Sequence, residues 1–148
     1  RSRRRKRTET GGKEELSRRK QKYKPKSFES TGKSNDTSAN IFDSMLTHPA
    51  FMGLKTRQKI LYVYCKNQFY GKRKPRSDFP EIEKFQSDEC FYMNLALVVE
   101  YGLYTKTGRK EFYSDMKALC EAGFIECISN GKSTKSRSIY RFSDKWKS

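Results

Sequence analysis

The chain has 148 residues, of which 33 are Lys or Arg and 17 are Asp or Glu, so its formal net charge is +16. The first 40 residues offer almost nothing to bury, and the hydrophobic content of the chain is 34%. We therefore expect one domain of about 105 residues with a modest core, preceded by a tail. No run approaches the roughly 18 apolar residues of a membrane span, and no apolar signal stretch opens the sequence, so we expect a cytoplasmic protein with no membrane partner.

Residues 1–36 have the composition of a basic tail. They are rich in Arg, Lys, Glu, Ser and Gly, and their only large apolar side chains are Leu16, Tyr23 and Phe28. Such a segment is expected to be disordered by itself. It is either a solvated tail or an arm that follows phosphates, and the clustered arginines favour the arm. The candidate phosphate contacts are Arg1, Arg3, Arg4, Arg5, Lys6 and Arg7.

Residue 37 opens a folded domain that we predict to extend over 37–148, beginning with two helices. The first ends before His48 and Pro49. Its apolar stripe is Ile41, Phe42, Met45 and Leu46, with Asp36, Thr37 or Ser38 as its N-cap. The second helix is capped by Thr56 and stops near Gly71. Its apolar stripe is Ile60, Leu61, Tyr64, Cys65 and Phe69.

The middle of the chain alternates irregular and regular patterns. Residues 71–89 contain Pro75 and Pro80 among many charges and predict a long surface loop. Residues 90–93 have the composition of a strand. Asn94 can then cap a short helix over residues 95–101.

The helix that follows is the most informative element. Its apolar stripe is Phe112, Met116, Leu119 and Cys120, and Gly123 ends it. At about 100° per residue, Lys110, Ser114 and Lys117 fall opposite that stripe, with Tyr113 at its edge. Glu111 and Asp115 are expected on the other flank, which leaves one flank cationic and polar.

Two paired strands are predicted at 124–128 and 138–142, joined by a basic turn. That turn has three cations, Lys132, Lys135 and Arg137, and no carboxylate. Two helices followed by such a hairpin predict an α+β, mostly helical fold: a winged helix-turn-helix whose β-hairpin is the wing. The connection 102–109 is longer than the turn of a simple helix-turn-helix.

Metal and cofactor chemistry has little support in the sequence. The cysteines are Cys65, Cys90, Cys120 and Cys127. They form no CxxC pair and sit in apolar patterns, so buried thiols are favoured over zinc sites or disulfides. The one histidine, His48, is far from any cysteine pair. We therefore predict no metal and no cofactor.

Catalysis is also unsupported, and we predict a protein that is not an enzyme. The Gly-Lys-Ser triplets at 32–34 and 131–133 lack the upstream glycine of a phosphate-binding loop. A DNA-nicking tyrosine would need a metal-binding histidine cluster, which the sequence does not contain. The tyrosines considered for that role are Tyr62, Tyr92, Tyr101, Tyr104 and Tyr113.

Several segments resemble a known family. They read SMLTHPAFMGL at 44–54, RQKILYVY at 57–64, FYSDMKAL at 112–119 and GFI at 123–125. They are similar to the N-terminal winged-helix domains of replication initiators and replisome organisers from plasmids, phages and integrative elements of Gram-positive bacteria. The resemblance covers about residues 37–146 and implies a recognition helix at 112–119 that leads into a first wing strand at 123–125.

The sequence thus predicts a double-stranded DNA-binding protein of a mobile element, acting in replication initiation or its control, with replication or conjugation proteins as further partners. Alternatives are an RNA-binding or ribosome-associated protein, a transcriptional regulator of the element, and a module that docks other proteins through its aromatic surface. The predicted DNA contacts of the domain are Lys106, Thr107, Arg109, Lys110, Tyr113, Ser114, Lys117, Lys132, Ser133, Lys135 and Arg137. The DNA site and the oligomeric state stay open.

Overall fold

The structure, a computed structural model, describes residues 24–68, 89–129 and 138–148. The chain divides after Asp36 into two units, Arg1–Asp36 and Thr37–Ser148. Several predicted features lie outside the described residues: the arginine-rich segment at 1–7, the loop at 71–88, Phe69, and the basic turn with its four candidate contacts, Lys132, Ser133, Lys135 and Arg137.

In the first unit, the described residues 24–36 form turns held by local hydrogen bonds. The backbone N–H of Glu29 donates to the carbonyl of Lys26 at 2.9 Å, and the Glu29 carboxylate accepts from the backbone N–H of Lys26 at 2.9 Å. The Ser30 hydroxyl donates to the Asp36 carboxylate at 2.5 Å. Phe28 is exposed, so this stretch does not bury its one aromatic side chain.

The second unit is α+β, as predicted. Its described residues contain five α-helices and three strands: α1 (Asp43–Leu46), α2 (Pro49–Met52), α3 (Thr56–Lys66), β1 (Cys90–Tyr92), α4 (Leu95–Glu100), α5 (Arg109–Glu121), β2 (Ile125–Ser129) and β3 (Ile139–Phe142). A single 3-10 turn follows at Lys145–Lys147. Within the described parts of the chain, no helix is both long and apolar enough to cross a membrane.

The three strands form one antiparallel sheet with the order β1-β3-β2. The pairing of β2 with β3 confirms the predicted hairpin, and Cys127 lies opposite Tyr140 in its register. The sequence did not reveal that β1 pairs with the other edge of β3, where Phe91 lies opposite Tyr140. The strand that begins at Cys90 therefore ties the middle of the chain to the C-terminal hairpin.

The region before α3 differs from the single helix that we predicted. The N-cap of α1 is Phe42, and no side chain caps it, so the predicted cap at residues 36–38 is wrong. Phe42 is 74% exposed and Leu46 is also exposed, whereas Ile41 and Met45 pack against the core. Half of the predicted stripe is therefore wrong. Four residues make barely one turn, too few to establish a helical period.

The short helix α2 was missed because a proline marks its start. His48 is its N-cap, with the ring Nδ1 accepting from the backbone N–H of Ala50 at 3.1 Å. Pro49 occupies the first helical position, where a missing N–H costs nothing. The His48 ring also meets the edge of Trp146 at a centroid distance of 5.0 Å. The residue that the sequence identified as a break thus starts a new turn.

Helix α3 confirms the predicted element but not its buried face. The N-cap is Lys55 rather than Thr56. Leu61 and Cys65 are buried as predicted, but Ile60 is 41% exposed and Tyr64 is only partly buried. Gln58 and Tyr62 are buried in their place. The buried face is therefore rotated toward a polar residue, which a hydrophobic pattern cannot reveal.

The cap of α4 is confirmed, since the Asn94 side chain accepts from the backbone N–H of Leu97 at 2.9 Å.

The core lies where α3, α5 and one face of the sheet meet. The Phe124 ring lies parallel to the Trp146 ring, with centroids 5.6 Å apart. Fully buried members of this core include Leu61, Cys65, Phe91, Met93, Val98, Phe112, Leu119 and Phe124.

The four cysteines are thiols in two different environments. Cys65 and Cys90 are buried, as predicted. Cys120 is only partly buried and Cys127 is exposed, so the prediction of four buried thiols is wrong for these two. Ile125 and Cys127 are two residues apart in β2 and therefore share a face of the sheet, yet only Ile125 is buried.

Candidate nucleic-acid interface

Helix α5 separates an apolar face from a polar one. Phe112, Met116 and Leu119 are buried against the core, and Lys110 and Lys117 are exposed. Ser114 is exposed as well, which confirms the predicted arrangement of these faces, although Cys120 is only partly buried. Since the helix is 13 residues long, its outer face presents more than three turns of polar side chains.

The predicted contacts that the structure describes are all exposed at this helix or just before it. Lys106 and Thr107 belong to the connection 101–108 that joins α4 to α5, where the Thr107 hydroxyl lies 3.1 Å from that of Thr105. The others lie on α5 itself. We call the whole set the α5 face: Lys106, Thr107, Arg109, Lys110, Tyr113, Ser114 and Lys117.

Two cations of the α5 face have neighbours that leave them accessible. The Arg109 guanidinium lies 5.6 Å from the centroid of the Tyr113 ring, so the pair forms a cation–π contact at the surface. The Lys117 ammonium lies 3.9 Å from the Glu121 carboxylate, with both side chains at least 70% exposed. A surface pair of this kind contributes little, so Lys117 can exchange Glu121 for an outside anion.

A buried carboxylate lies behind the α5 face. Asp115 is only 4% exposed, which corrects our expectation that it would turn to a solvent flank beside Glu111. At about 100° per residue around α5, Asp115 lies only about 40° from the buried Leu119. The elements that pack against Leu119 therefore cover Asp115 too. A local pattern shows no partner for this carboxylate because the partners come from other elements.

Asp115 joins three parts of the domain through hydrogen bonds. Arg57 Nε, in the first turn of α3, donates to Asp115 Oδ2 at 2.7 Å. The Tyr104 hydroxyl, in the connection before α5, donates to the same oxygen at 2.6 Å. Gln58 Nε2 donates to Asp115 Oδ1 at 3.1 Å, and Gln58 Oε1 accepts from the backbone N–H of Lys55 at 3.0 Å. One carboxylate thus connects α3, the inter-helix connection and α5.

The charge of Asp115 is stabilised in this setting. Burial by itself would raise the pKa of Asp115, but the hydrogen bonds from Tyr104, Gln58 and Arg57 outweigh it and lower that pKa below its ordinary value. Burial and the bond to Asp115 raise the pKa of the Tyr104 hydroxyl. The hydrogen bond to Asp115 likewise raises the pKa of Arg57. The network therefore holds a carboxylate, a phenol and a guanidinium in fixed protonation states near neutral pH.

A cleft of about 400 Å³ opens in front of this network, and we call it the α3–α5 cleft. Glu111, which the sequence placed on the other flank of α5, lines the same cleft as Lys110. The cleft brings cations of α3 that the sequence analysis did not single out next to the α5 face. Its lining is Lys55, Arg57, Lys110, Glu111, Ser114 and Asp115.

No protein-family model, curated protein or solved structure matches this chain. Within residues 24–68, 89–129 and 138–148, no group of three or more His, Cys, Asp or Glu side chains is arranged to hold a metal ion.

A second cleft, of about 630 Å³, lies beside the 3-10 turn at the C-terminus. Phe142 and Trp146 contribute aromatic walls. Three of its charges meet one another, since Arg141 donates to Glu126 through Nε at 2.8 Å and Nη2 at 2.6 Å, and Lys145 lies 3.9 Å from the same carboxylate. We call it the C-terminal cleft.

Three of the five tyrosines considered as nucleophiles are buried in the domain. Tyr62 and Tyr104 are buried, and burial raises the pKa of both hydroxyls. Tyr92 is buried as well. A higher pKa leaves less of the phenolate that would attack a phosphorus atom. Tyr113, on the α5 face, is 39% exposed, and its place beside Arg109 suits contact with a nucleic acid.

Proposed function

We propose that this chain binds double-stranded DNA with a sequence preference and acts without catalysis, through a winged helix-turn-helix in the unit Thr37–Ser148. The observation that carries the proposal is the α5 face, which is a polar and cationic surface. The opposite side of the same helix buries Phe112, Met116 and Leu119 in the core. A helix of this kind fits the major groove of DNA.

The order of elements supports the winged arrangement. Helices α3, α4 and α5 precede a hairpin of β2 and β3, and β1 lies between α3 and α4. The sheet order β1-β3-β2 places β1 on the free edge of the hairpin, so the three strands form a single sheet. On this proposal α4 and α5 are the helix-turn-helix, and the turn between β2 and β3 is the wing.

The chemistry of each side chain indicates whether it contacts bases or phosphates. Lys110, Ser114 and Lys117 offer the hydrogen-bonding groups that read base edges, and Arg109 offers a charge that binds phosphate. The basic turn adds Lys132, Lys135 and Arg137, which contribute affinity without sequence information. A net charge of +16 favours the polyanion over a neutral partner.

The biological setting follows from the family resemblance. Segments 44–54, 57–64, 112–119 and 123–125 resemble the winged-helix domains of replication initiators and replisome organisers. We propose on that basis that the chain serves replication initiation, or its control, in a mobile genetic element, in the cytoplasm and alongside other replication or conjugation proteins.

Selection of bound duplexes from a random library, followed by titration of the selected duplex and of a structured RNA of equal charge, tests the proposal. We expect the duplex to bind more tightly. Lys110→Ala and Lys117→Ala should each cost about 1 to 3 kcal/mol at the preferred site where a base is read, and much less on a scrambled duplex.

Lys147→Ala is the matched control, because Lys147 is exposed beside the C-terminal cleft and lies outside the α5 face. It removes the same charge and should leave sequence preference unchanged. Equal or tighter binding of the RNA would overturn the proposal in favour of an RNA-binding protein. Absence of any nucleic-acid binding would leave a module that docks other proteins.

A further inference from the structure

We propose that Arg57 is a phosphate contact of the same interface, and that the buried Asp115 is the positioning residue that holds it there. The inference rests on the proposed function and extends the interface from α5 to the start of α3. Neither residue was a candidate contact from the sequence, because Arg57 belongs to the helix that the pattern assigned to the core.

The guanidinium of Arg57 is only partly committed. Among the described residues, its hydrogen bond to a carboxylate runs from Nε to Asp115 Oδ2 at 2.7 Å. Arg141, by contrast, holds Glu126 through both Nε and Nη2. Within the described residues, no carboxylate pairs with the two terminal amino groups of Arg57, so they can meet an outside anion. The Arg57 side chain is 46% exposed, as expected for a group fixed at one end and open at the other.

Contacts with Asp115 and Tyr104 restrain the direction of the Arg57 side chain. The guanidinium carbon lies 4.9 Å from the centroid of the Tyr104 ring, so the group is held over an aromatic face as well as by the carboxylate. A planar guanidinium restrained in this way loses less conformational entropy when it binds phosphate. Lys55 and Lys110 line the same cleft and balance the nearby Glu111.

The arrangement suits a DNA backbone phosphate. Arginine binds phosphate oxygens through two parallel N–H donors, which the free edge of Arg57 supplies. The α3–α5 cleft lies beside Lys110 and Ser114, so a helix docked through its α5 face would bring a flanking phosphate of the groove close to Arg57. Such a contact positions the protein on the duplex but reads no sequence.

The salt dependence of duplex binding by the full chain tests this inference. Arg57→Ala should lower the slope of log K against log salt by about 0.9, equally on the preferred and the scrambled duplex. Arg57→Gln should do the same while retaining a hydrogen-bond donor for Asp115. Arg141→Ala removes the same charge from the C-terminal cleft and should leave the slope unchanged.

Asp115→Asn separates positioning from simple charge. It removes a negative charge near the interface, so electrostatics alone would make binding tighter. The positioning role predicts weaker binding and a slope lowered toward that of Arg57→Ala. In the double variant, Asp115→Asn should add nothing to Arg57→Ala, because it acts through that side chain. All titrations are made below the unfolding midpoint of each variant.

The outcomes distinguish this inference from the proposed function. If Lys110→Ala and Lys117→Ala weaken binding but both Arg57 variants keep the full slope, Arg57 is a structural residue and the inference falls while the function stands. Tighter binding by Asp115→Asn would likewise overturn its positioning role. If the wild-type chain binds no duplex, the inference and the function fall together.

Discussion

At the scale of single residues, Asp115 connects three parts of the domain. It is an acceptor for Tyr104, Gln58 and Arg57, two of which are themselves buried. Asp115→Ala should lower the free energy of unfolding by roughly 2 to 4 kcal/mol, because each buried donor left unpaired costs about 1 to 3. Chemical denaturation monitored by circular dichroism measures the change.

Ser114→Ala is the control for that substitution, since Ser114 is the adjacent, exposed residue of the same helix. It should change the free energy of unfolding by less than about 0.5 kcal/mol, as exposed sites usually do. Equal losses in the two variants would mean that the helix itself, rather than the network of Asp115, was perturbed.

The same carboxylate gives stability a defined pH dependence. The pKa of Asp115 is lower in the folded protein than the value of about 3.9 for an unfolded aspartate. Its contribution to the free energy of unfolding is therefore fully present above the pKa of the unfolded state. That contribution is lost as the pH falls through the pKa of the folded state. The wild type should lose more stability than Asp115→Asn as the pH falls below about 4. Parallel losses in both proteins would contradict this assignment.

The sequence predicted the apolar side of α5 well and its buried polar residue poorly. Phe112, Met116 and Leu119 recur at helical spacing, and burial of that stripe depends on the helix alone. The position of Asp115 depends on which neighbour covers the edge of the stripe. Gln58 and Arg57 come from more than 50 residues away in the chain, so no local pattern could identify them.

At the scale of elements, the end of α5 is fixed by contact with the C-terminal turn. Gly123 has a φ of +86°, which other residues adopt only at a cost. A Cβ there would lie 2.6 Å from the backbone nitrogen of Trp146. The carbonyl of Gly123 also accepts a hydrogen bond from that nitrogen at 3.1 Å. A side chain at Gly123 must therefore displace the turn.

Gly123→Ala should lower the free energy of unfolding more than Gly102→Ala. Both glycines have positive φ, but a Cβ at Gly102 would meet nothing within 4 Å, so that variant costs only the backbone term of about 1 to 2 kcal/mol. The fluorescence of Trp146, the only tryptophan, should shift to longer wavelength in Gly123→Ala alone. Equal losses in the two variants would show that the turn yields freely.

The two shortest helices and the partner of β1 were the least predictable features. Helices α1 and α2 have four residues each, and packing against the core decides which of their side chains are buried. Pairing of β1 with β3 joins segments about 50 residues apart, and nothing in either strand specifies the other. The hairpin of β2 and β3 was predictable because its partners are close in sequence.

The basic turn between β2 and β3 provides a prediction for one element. Neutralising Lys132, Lys135 and Arg137 together should weaken every duplex about equally, since phosphate contacts carry no sequence information. The salt slope should fall by up to about 0.9 for each phosphate that these side chains neutralise in the wild type. An unchanged slope would mean that the turn stays in solvent when DNA is bound.

At the scale of the whole molecule, the charge is distributed unevenly. Residues 1–40 have 14 basic and 5 acidic side chains, and the remainder of the chain is also basic. The chain divides after Asp36, so the densest positive charge belongs to a different unit from the α5 face. This separation favours a division in which one unit adds affinity and the other supplies sequence preference.

Deletion of residues 1–34 tests that division. A Gly/Ser-like chain of about 30 residues has an end-to-end distance on the order of 30 Å, enough to bring the arginines of 1–7 to phosphates about one duplex turn away. The truncated protein should bind far more weakly at low salt and keep the same preferred sequence, as measured by titration of preferred and scrambled duplexes. Full affinity after truncation would assign the arm to another partner. Loss of sequence preference in a truncated protein that stays folded would instead show that base reading does not belong to the α5 face.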